Sequence, residues 1–288
     1  MIIDILLVAT GLIALFAASV SDIKTREVPD WVSYGLIFTG FLLRLIQSIA
    51  YNEWNYLFYG IIGCVSMIIL GNLMFRTKQW GGGDTKLIIA VGITFATKPY
   101  YLPQHDFPFL VITIINILIA GAIYGIIYGI VLAVKNKKRF FAAAKDINKE
   151  RKIAVIKIIA LSFAIISTII AVMAEVMLEI KIMMSILAML LLAYPYLTIF
   201  IKAVEKSCLV KDLSVKKLTP GDWVEQDVYK NNKLIYKKKL LGIEADDIKR
   251  LIKASISKVI VKEGIPFIPP FFIGTLISVI TGRIIGFI

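Results

Sequence analysis

Few residue types in this chain could carry out chemistry. Its 288 residues include one histidine, His105, and two cysteines, Cys64 and Cys208. The sequence has no CxxC pair, so it does not predict a cysteine zinc site, and one histidine cannot build a multi-histidine metal site. A metal centre and a histidine-dependent triad are therefore not expected. Any chemistry falls to carboxylates, lysines, serines or tyrosines.

Two aspartates occupy unusual positions. Asp22 directly follows an apolar run, 2–20, which as a helix would be about 28 Å long and would place Asp22 at a bilayer boundary. Asp84 follows three glycines and begins another apolar segment. Each glycine in a helix costs about 1 kcal/mol relative to alanine, so three together indicate a bend or a close backbone approach. Read alone, Asp22 fits an ordinary charged loop, and Asp84 fits a helix cap or a functional ionisable residue.

The two aspartates together suggest a mechanism. Two nearby carboxylates in a partly desolvated site cannot both ionise easily, so the pair is expected to hold one proton. The ionised member could take a proton from water while the protonated member polarises a peptide carbonyl. This is aspartyl protease chemistry, and it requires no metal or other cofactor.

Two other classes of function remain open from the residues. In a transporter, Asp22 and Asp84 would bind a cation or a proton. Transporters often place such charges near the bilayer midplane between inverted repeats, whereas these aspartates lie at one boundary and no repeat is evident. In a non-catalytic assembly scaffold, the basic segment 202–263 would be the functional part.

The composition indicates a membrane protein. Hydrophobic residues make up 58% of the chain and charged residues 18%, and several apolar runs reach the roughly 20 residues that a bilayer crossing requires. The first segment lacks a basic start, so we expect a retained helix and not a signal peptide. The predicted fold is an all-α polytopic membrane protein with about eight transmembrane helices. The predicted spans are 2–20, 32–50, 55–75, 84–97, 107–134, 153–177, 182–201 and 265–287.

The distribution of charge predicts an orientation. The net charge is +13, and lysines and arginines concentrate after the first, third, fifth and seventh predicted spans. Basic loops face the cytoplasm, which places both termini outside and both aspartates on the cytoplasmic side of the cell membrane. The basic charge is thus attributed to membrane orientation and to anionic lipid of the bilayer, and nucleic acid is not expected as a partner.

The chain is expected to divide into three parts. These are a transmembrane catalytic domain over 1–201 with its core in 1–134, a cytoplasmic segment over 202–263, and a final transmembrane helix over 264–288. The cytoplasmic segment is predicted to be a small α/β piece. Its predicted strands are 222–229, 234–238 and 258–262, and its predicted amphipathic helix is 245–255.

Three stretches resemble a known family. Gly81-Gly82-Gly83-Asp84 matches the GxGD motif of intramembrane aspartyl proteases. Residues 22–31, DIKTREVPDW, resemble the first-aspartate loop of archaeal prepilin and preflagellin peptidases, and residues 261–269, VKEGIPFIP, resemble their carboxy-terminal region. The resemblance covers roughly 1–134 and 205–288, and it is the combination of GxGD with the aspartate loop that makes it specific.

The resemblance implies a type IV prepilin peptidase-like membrane aspartic endopeptidase. Asp22 and Asp84 would be its catalytic dyad, and Gly81 and Gly83 would permit the backbone geometry around Asp84. Its partners would be pilin-like or archaellin precursors, whose short basic leader peptides it would cleave without a cofactor.

The chain departs from the family in two respects. Bacterial members carry a four-cysteine zinc insertion and often methylate the new amino terminus, so a chain without those cysteines is expected to be a protease only. Compact preflagellin peptidases have fewer spans, which leaves the choice between pilin and archaellin substrates open.

Other residues have a functional and a plainer interpretation. Lys24 and Lys86 could support the substrate or the dyad, although a role as positive-inside anchors is favoured for Lys86. Arg44 lies inside the second predicted span, where snorkelling is favoured over a partner in the bundle. Pro266, Pro269 and Pro270 resemble the proline-bearing motif near the active site of presenilin-like enzymes, but a simple start of the last helix is favoured. His105 is assigned no role.

Overall fold

The protein is mostly helical. The computed structural model describes residues 2–77, 79–103, 107–173, 177–239 and 242–286. His105 and the end of the last predicted span, Phe287, lie outside these residues. The helices are α1 (Ile2–Thr25), α2 (Asp30–Tyr51), α3 (Asn55–Arg76), α4 (Gly82–Thr94), α5 (Phe109–Lys135), α6 (Lys137–Asn148), α7 (Arg151–Met173), α8 (Leu178–Val204), α9 (Ala245–Lys253) and α10 (Ile268–Thr281).

Among the described residues, six helices are long and apolar enough to cross a membrane, which makes this a multi-pass membrane protein. They are α1, α2, α3, α5, α7 and α8, the last extended by a π-helical turn to Leu209. The other two predicted spans correspond to α4 and α10, which have 13 and 14 residues. Helices of that length extend about 20 Å, against about 30 Å for a hydrocarbon core, so the predicted count of eight spans is not confirmed.

Contacts divide the chain into two compact units, residues 1–127 with 264–288 and residues 128–263. In the first unit, α4 packs against α2 and α3, and α1 packs against α2, α4 and α10. A Cβ on Gly92 of α4 would lie 2.6 Å from Cγ of Met67 in α3, so these two helices approach more closely than a side chain would allow. Small residues commonly permit such approach between membrane helices. Helix α4, which carries Asp84 in its first turn, therefore packs against α1, α2 and α3.

The snorkelling interpretation of Arg44 was wrong. Arg44 is 0% exposed, and its guanidinium donates hydrogen bonds to the backbone carbonyls of Ile93 and Thr94 at the end of α4. The reason is that a short helix ending inside the bundle leaves carbonyls that need a donor.

The second unit contains α6 to α9 and two small sheets. Strand β1 (Val210–Ser214) and strand β2 (Trp223–Val224) both pair antiparallel with β5 (Lys258–Lys262). Strands β3 (Val228–Lys230) and β4 (Lys233–Tyr236) form a hairpin. Its turn uses Asn231 and Asn232 with φ of +50° and +60°, the left-handed conformation that twisted hairpins favour.

The small sheet region expected before the last helix is confirmed, with differences in detail. The predicted strand 222–229 is two separate strands, β2 and β3, which pair in different sheets. Strand β1 was not predicted, and the basic stretch after α5, expected to be a loop, contains the helix α6. Ala143 and Ile147 of α6 pack with Ile153 and Ala203, an apolar pattern that the many lysines around it obscured.

Candidate active site

Asp22 lies in the last turn of α1. The helix ends at Thr25, and Arg26 turns the chain with a φ of +61° while its N–H donates to the Asp22 carbonyl at 2.9 Å. The Asp22 side chain is only 6% exposed. Its Oδ2 accepts a hydrogen bond from the backbone N–H of Ile268 at 3.0 Å. The carboxyl group is therefore held by the first residue of α10, far away in sequence.

Asp84 lies in the first turn of α4. Gly81 caps the helix in an extended conformation, with φ of −77° and ψ of 172°, and its N–H donates to Asp84 Oδ2 at 2.8 Å. An acidic residue at the third helical position satisfies a free donor and interacts favourably with the helix dipole. Asp84 thus takes its orientation from its own turn.

The structure brings these two aspartates into interaction. Helices α1 and α4 contact each other, and Asp22 acts electrostatically on Asp84. The loop after Asp22 also reaches the glycine motif: a Cβ on Gly83 would lie 3.2 Å from both Cβ and Cγ2 of Val28. Gly83 therefore provides room for the first-aspartate loop beside the second aspartate.

The start of α10 forms a further wall of the site, which is the interpretation of its prolines that the sequence did not favour. Pro269 and Pro270 occupy the first turn of α10, and neither can donate a backbone hydrogen bond. The N–H of Ile268 remains, and it points to Asp22. Trp80, which directly precedes the glycine motif, packs its ring 5.4 Å from that of Phe271. The only signal in the sequence was the cluster of prolines after Gly264.

The two lysines predicted as supports have different environments. Lys86 Nζ lies 2.6 Å from Asp30 Oδ1 and 5.4 Å from the centre of the Tyr34 ring. It thus ties α4 to the first turn of α2. Lys24 is exposed near the end of α1. Neither lysine shares a hydrogen bond with Asp22 or Asp84 within the described part of the chain.

Carboxylates are the chemically useful groups of this site. Across the described ranges, no three His, Cys, Asp or Glu side chains gather closely enough to hold a metal ion. What the site offers is one carboxyl group near a helix N-terminus, a second within electrostatic range, and backbone donors to each. This arrangement can activate a water molecule and polarise a carbonyl.

Residues 9–130 match the model of the type IV leader peptidase family. The resemblance read from the two aspartate motifs is thereby confirmed over this part of the chain. The matched range includes both Asp22 and Asp84 and ends inside α5. No solved structure matches the chain.

Curated relatives are peptidases from archaea. The prepilin peptidase EppA of Methanothermobacter thermautotrophicus is 29% identical over 130 residues, which cover 42% of this chain and 34% of that protein. The preflagellin peptidase of Methanocaldococcus jannaschii is 37% identical over 100 residues, which cover 33% of this chain and 39% of that protein. The preflagellin peptidase of Methanococcus maripaludis is 37% identical over 82 residues, which cover 28% of this chain and 35% of that protein. The matches thus span between a third and two fifths of these relatives' own lengths, and none of them supports the transporter alternative.

Proposed function

We propose that this protein is a membrane aspartic endopeptidase that removes short basic leader peptides from pilin-like or archaellin precursors at the cytoplasmic face. The observation that carries the proposal is that Asp22, in the last turn of α1, lies within electrostatic range of Asp84, in the first turn of α4, and that these two helices pack against each other. The leader peptidase match over residues 9–130 supports the same reaction class. The basic loops support the cytoplasmic orientation, because lysine- and arginine-rich loops remain in the cytoplasm, which is also the side on which the family resemblance implies that the leaders lie.

The surroundings of the two aspartates suggest their separate roles. Each carboxyl group accepts a backbone N–H at the amino end of a helix, Asp22 from Ile268 and Asp84 from Gly81, and what distinguishes Asp22 is the nearby positive charge of Arg26. We assign Asp22 as the general base and Asp84 as the protonated partner. Gly81 and Gly83 support Asp84 through its cap and through the space beside Val28.

The reaction then proceeds in two balanced steps. Water attacks the scissile carbonyl carbon, Asp22 accepts a proton from that water, and Asp84 gives its proton to the carbonyl oxygen, which forms a neutral gem-diol. Asp84 next recovers a proton from one hydroxyl while Asp22 protonates the leaving nitrogen and the C–N bond breaks. The products are a carboxyl group and an amine, so neither a metal nor another cofactor is needed. No methyl transfer is expected.

Single substitutions test the dyad. We expect Asp22→Asn and Asp84→Asn each to abolish precursor cleavage, because neither amide can exchange the required proton. Membranes containing each variant would be incubated with candidate pilin and archaellin precursors, and the cut would be located by mass spectrometry. Asp246→Asn, which removes an exposed carboxylate paired with Lys249, is the matched control. Full cleavage by either dyad variant would contradict the assignment.

A further inference from the structure

Arg44 holds the end of α4 that is opposite to Asp84. Its Nη2 donates to the Thr94 carbonyl at 3.0 Å, and its Nε donates to the Ile93 carbonyl. Its Nη1 donates to the Tyr56 carbonyl and to Thr97 Oγ1, both at 3.2 Å. A single buried guanidinium therefore binds the end of α4, the residues that follow it, and the first turn of α3.

These contacts answer a physical need of a short helix. With 13 residues, α4 is about 20 Å long, which is shorter than a hydrocarbon core of about 30 Å, and its last residues, Ile93 and Thr94, are buried where their carbonyls need a donor from the protein. The planar guanidinium can donate to two successive carbonyls at once, which a lysine ammonium cannot match. A cation at the C-terminus of a helix also complements its dipole.

The same arginine is linked to the helix that carries Asp22. Asp4, near the start of α1, interacts electrostatically with Arg44 and accepts a hydrogen bond from Gln47 Nε2 at 2.8 Å. Asp22 lies at the far end of this same helix. The opposite ends of both aspartate-bearing helices are therefore held by α2, that of α4 through the hydrogen bonds of Arg44 and that of α1 through Gln47 and the charge of Arg44. Helices are stiff enough to transmit an axial shift from one end to the other.

We propose that Arg44 is a positioning residue, which sets the axial position of α4 relative to α1 and so holds Asp84 at its working depth beside Asp22. The catalytic part of this proposal rests on the peptidase function proposed above, whereas the positional part does not. An axial shift of α4 would separate the carboxyl groups without touching either of them. A misplacement of about 1 Å at a catalytic group can cost on the order of 100-fold in rate.

Cross-linking measures the position of α4 without any reaction. The reporter is the double variant Val28→Cys/Gly83→Cys in a Cys64→Ala/Cys208→Ala background. A Cβ at Gly83 would lie 3.2 Å from the Val28 Cβ, which is close to the Cβ–Cβ separation of about 3.8 Å in a disulfide. We expect rapid disulfide formation in oxidised membranes, read as loss of labelling by a maleimide polymer. Arg44→Met should slow it about tenfold, the effect of losing buried hydrogen bonds, and Arg44→Lys should give an intermediate rate.

A buried asparagine provides the matched control. Asn116 in α5 donates to Ser278 Oγ and accepts from the Ile285 N–H, and it has no hydrogen bond to α4 in the described structure. Asn116→Leu should lower the unfolding temperature yet leave the cross-linking rate unchanged. A parental rate in Arg44→Met would overturn the proposal, as would equal slowing in Asn116→Leu. If Arg44→Met does not accumulate in membranes, Arg44→Lys carries the same test.

Kinetics in the native-cysteine background complete the test. Arg44→Met should reduce kcat on the order of 100-fold with KM unchanged, because the substrate still binds while the carboxyl groups are misplaced. Arg44→Lys should recover part of the rate. If Arg44→Met slows cross-linking but the wild-type protein cleaves no precursor, the peptidase function fails and the positional role stands. If wild type cleaves and Arg44→Met cross-links normally, the positional role alone fails.

Discussion

At the residue scale, the two aspartates differ in what holds them. Asp84 is oriented by the N–H of Gly81, three positions earlier, whereas Asp22 is oriented by the N–H of Ile268, 246 positions later. The first bond forms whenever α4 begins, but the second requires α10 to be docked. The geometry of Asp22 therefore depends on the folded state of the whole first unit, which has consequences for stability as well as for catalysis.

The bond between Asp22 and Ile268 should be measurable in the absence of substrate. In Asp22→Leu the buried Ile268 N–H loses its acceptor, which should cost about 1–3 kcal/mol of stability. In Asp22→Asn the amide oxygen can still accept, so thermal unfolding in detergent should stay near that of wild type while cleavage is lost. Equal unfolding temperatures for Asp22→Leu and wild type would show that this bond does not stabilise α10.

The glycine motif offers a second comparison of neighbouring residues. A Cβ on Gly83 would press against Val28 at 3.2 Å, whereas a Cβ on Gly82 would meet nothing within 4 Å. We expect Gly83→Ala to reduce cleavage strongly, because Val28 and the loop that follows Asp22 must move away. Gly82→Ala should retain activity. Initial rates on one precursor compare them, and a stronger loss in Gly82→Ala would contradict this account of the motif.

At the element scale, the sequence indicates roughly where helices begin and end, but it does not indicate which helices contact each other. The apolar run before Asp22 predicted α1 but ended it at residue 20, five residues before its actual end at Thr25, so Asp22 lies in the helix and not in the loop after it. The three glycines before Asp84 predicted the start of α4 to within two residues. Pro269 and Pro270 predicted the start of a helix, but nothing near them indicates that its first N–H points to Asp22. Arg44 was misread for the same reason, since its acceptors at Ile93 and Thr94 belong to another helix.

The α/β region shows the same limit in its strands. Strand β5 was predicted with its observed bounds because three consecutive β-branched residues, Val259, Ile260 and Val261, between two lysines are a local pattern. Strand β1 was missed because Val210–Ser214 is short and polar, and its structure depends on pairing with β5. A pairing partner nearly 50 residues away contributes nothing to a local pattern.

Helix α9 carries a pH-dependent cap. Asp247 is 5% exposed, and this burial raises its pKa. Hydrogen bonds from Lys239 at 2.6 Å and from the Glu244 N–H lower the pKa by more than burial raises it, so the pKa of Asp247 lies below the ordinary value. A carboxyl group whose pKa is lowered by folding stabilises the folded state at any pH above its pKa in the unfolded chain, which is about 4. This contribution is lost as the pH falls through the pKa of the same group in the folded protein. The pKa of Lys239 is raised by the carboxylates of Asp247 and Glu244, so its contribution is lost only at strongly alkaline pH.

Hydrogen exchange on the full-length protein can follow this cap. Protection of the α9 amides, corrected for intrinsic exchange, should be constant from about pH 5 to 9 and should fall below about pH 4. Asp247→Asn should remove that step, whereas Asp246→Asn should retain it, because Asp246 is exposed on the same helix. An acid step that persists unchanged in Asp247→Asn would assign the effect to another group.

At the scale of the whole molecule, the charge distribution and the long helices together define an orientation that can be tested. Helix α7 is 23 residues long and apolar enough to cross a bilayer. It follows the lysine-rich α6, and α8, which comes next, begins with only Glu179 and Lys181 as charges in its first turn. If basic connections stay in the cytoplasm, α6 lies inside and the start of α8 lies outside.

Cysteine labelling separates the possible arrangements. In a Cys64→Ala/Cys208→Ala background, we expect an impermeant maleimide to label Glu179→Cys on intact cells and Lys138→Cys only after the cells are opened; both native residues are exposed. Labelling of both positions from outside would mean that α7 does not cross the membrane. The reverse pattern would place the end of α5 outside and, because α5 is the single crossing before α6, would invert the helices that precede it along the chain. The proposed dyad would then face away from the cytoplasm, so this single comparison tests the orientation on which the proposed substrate class depends.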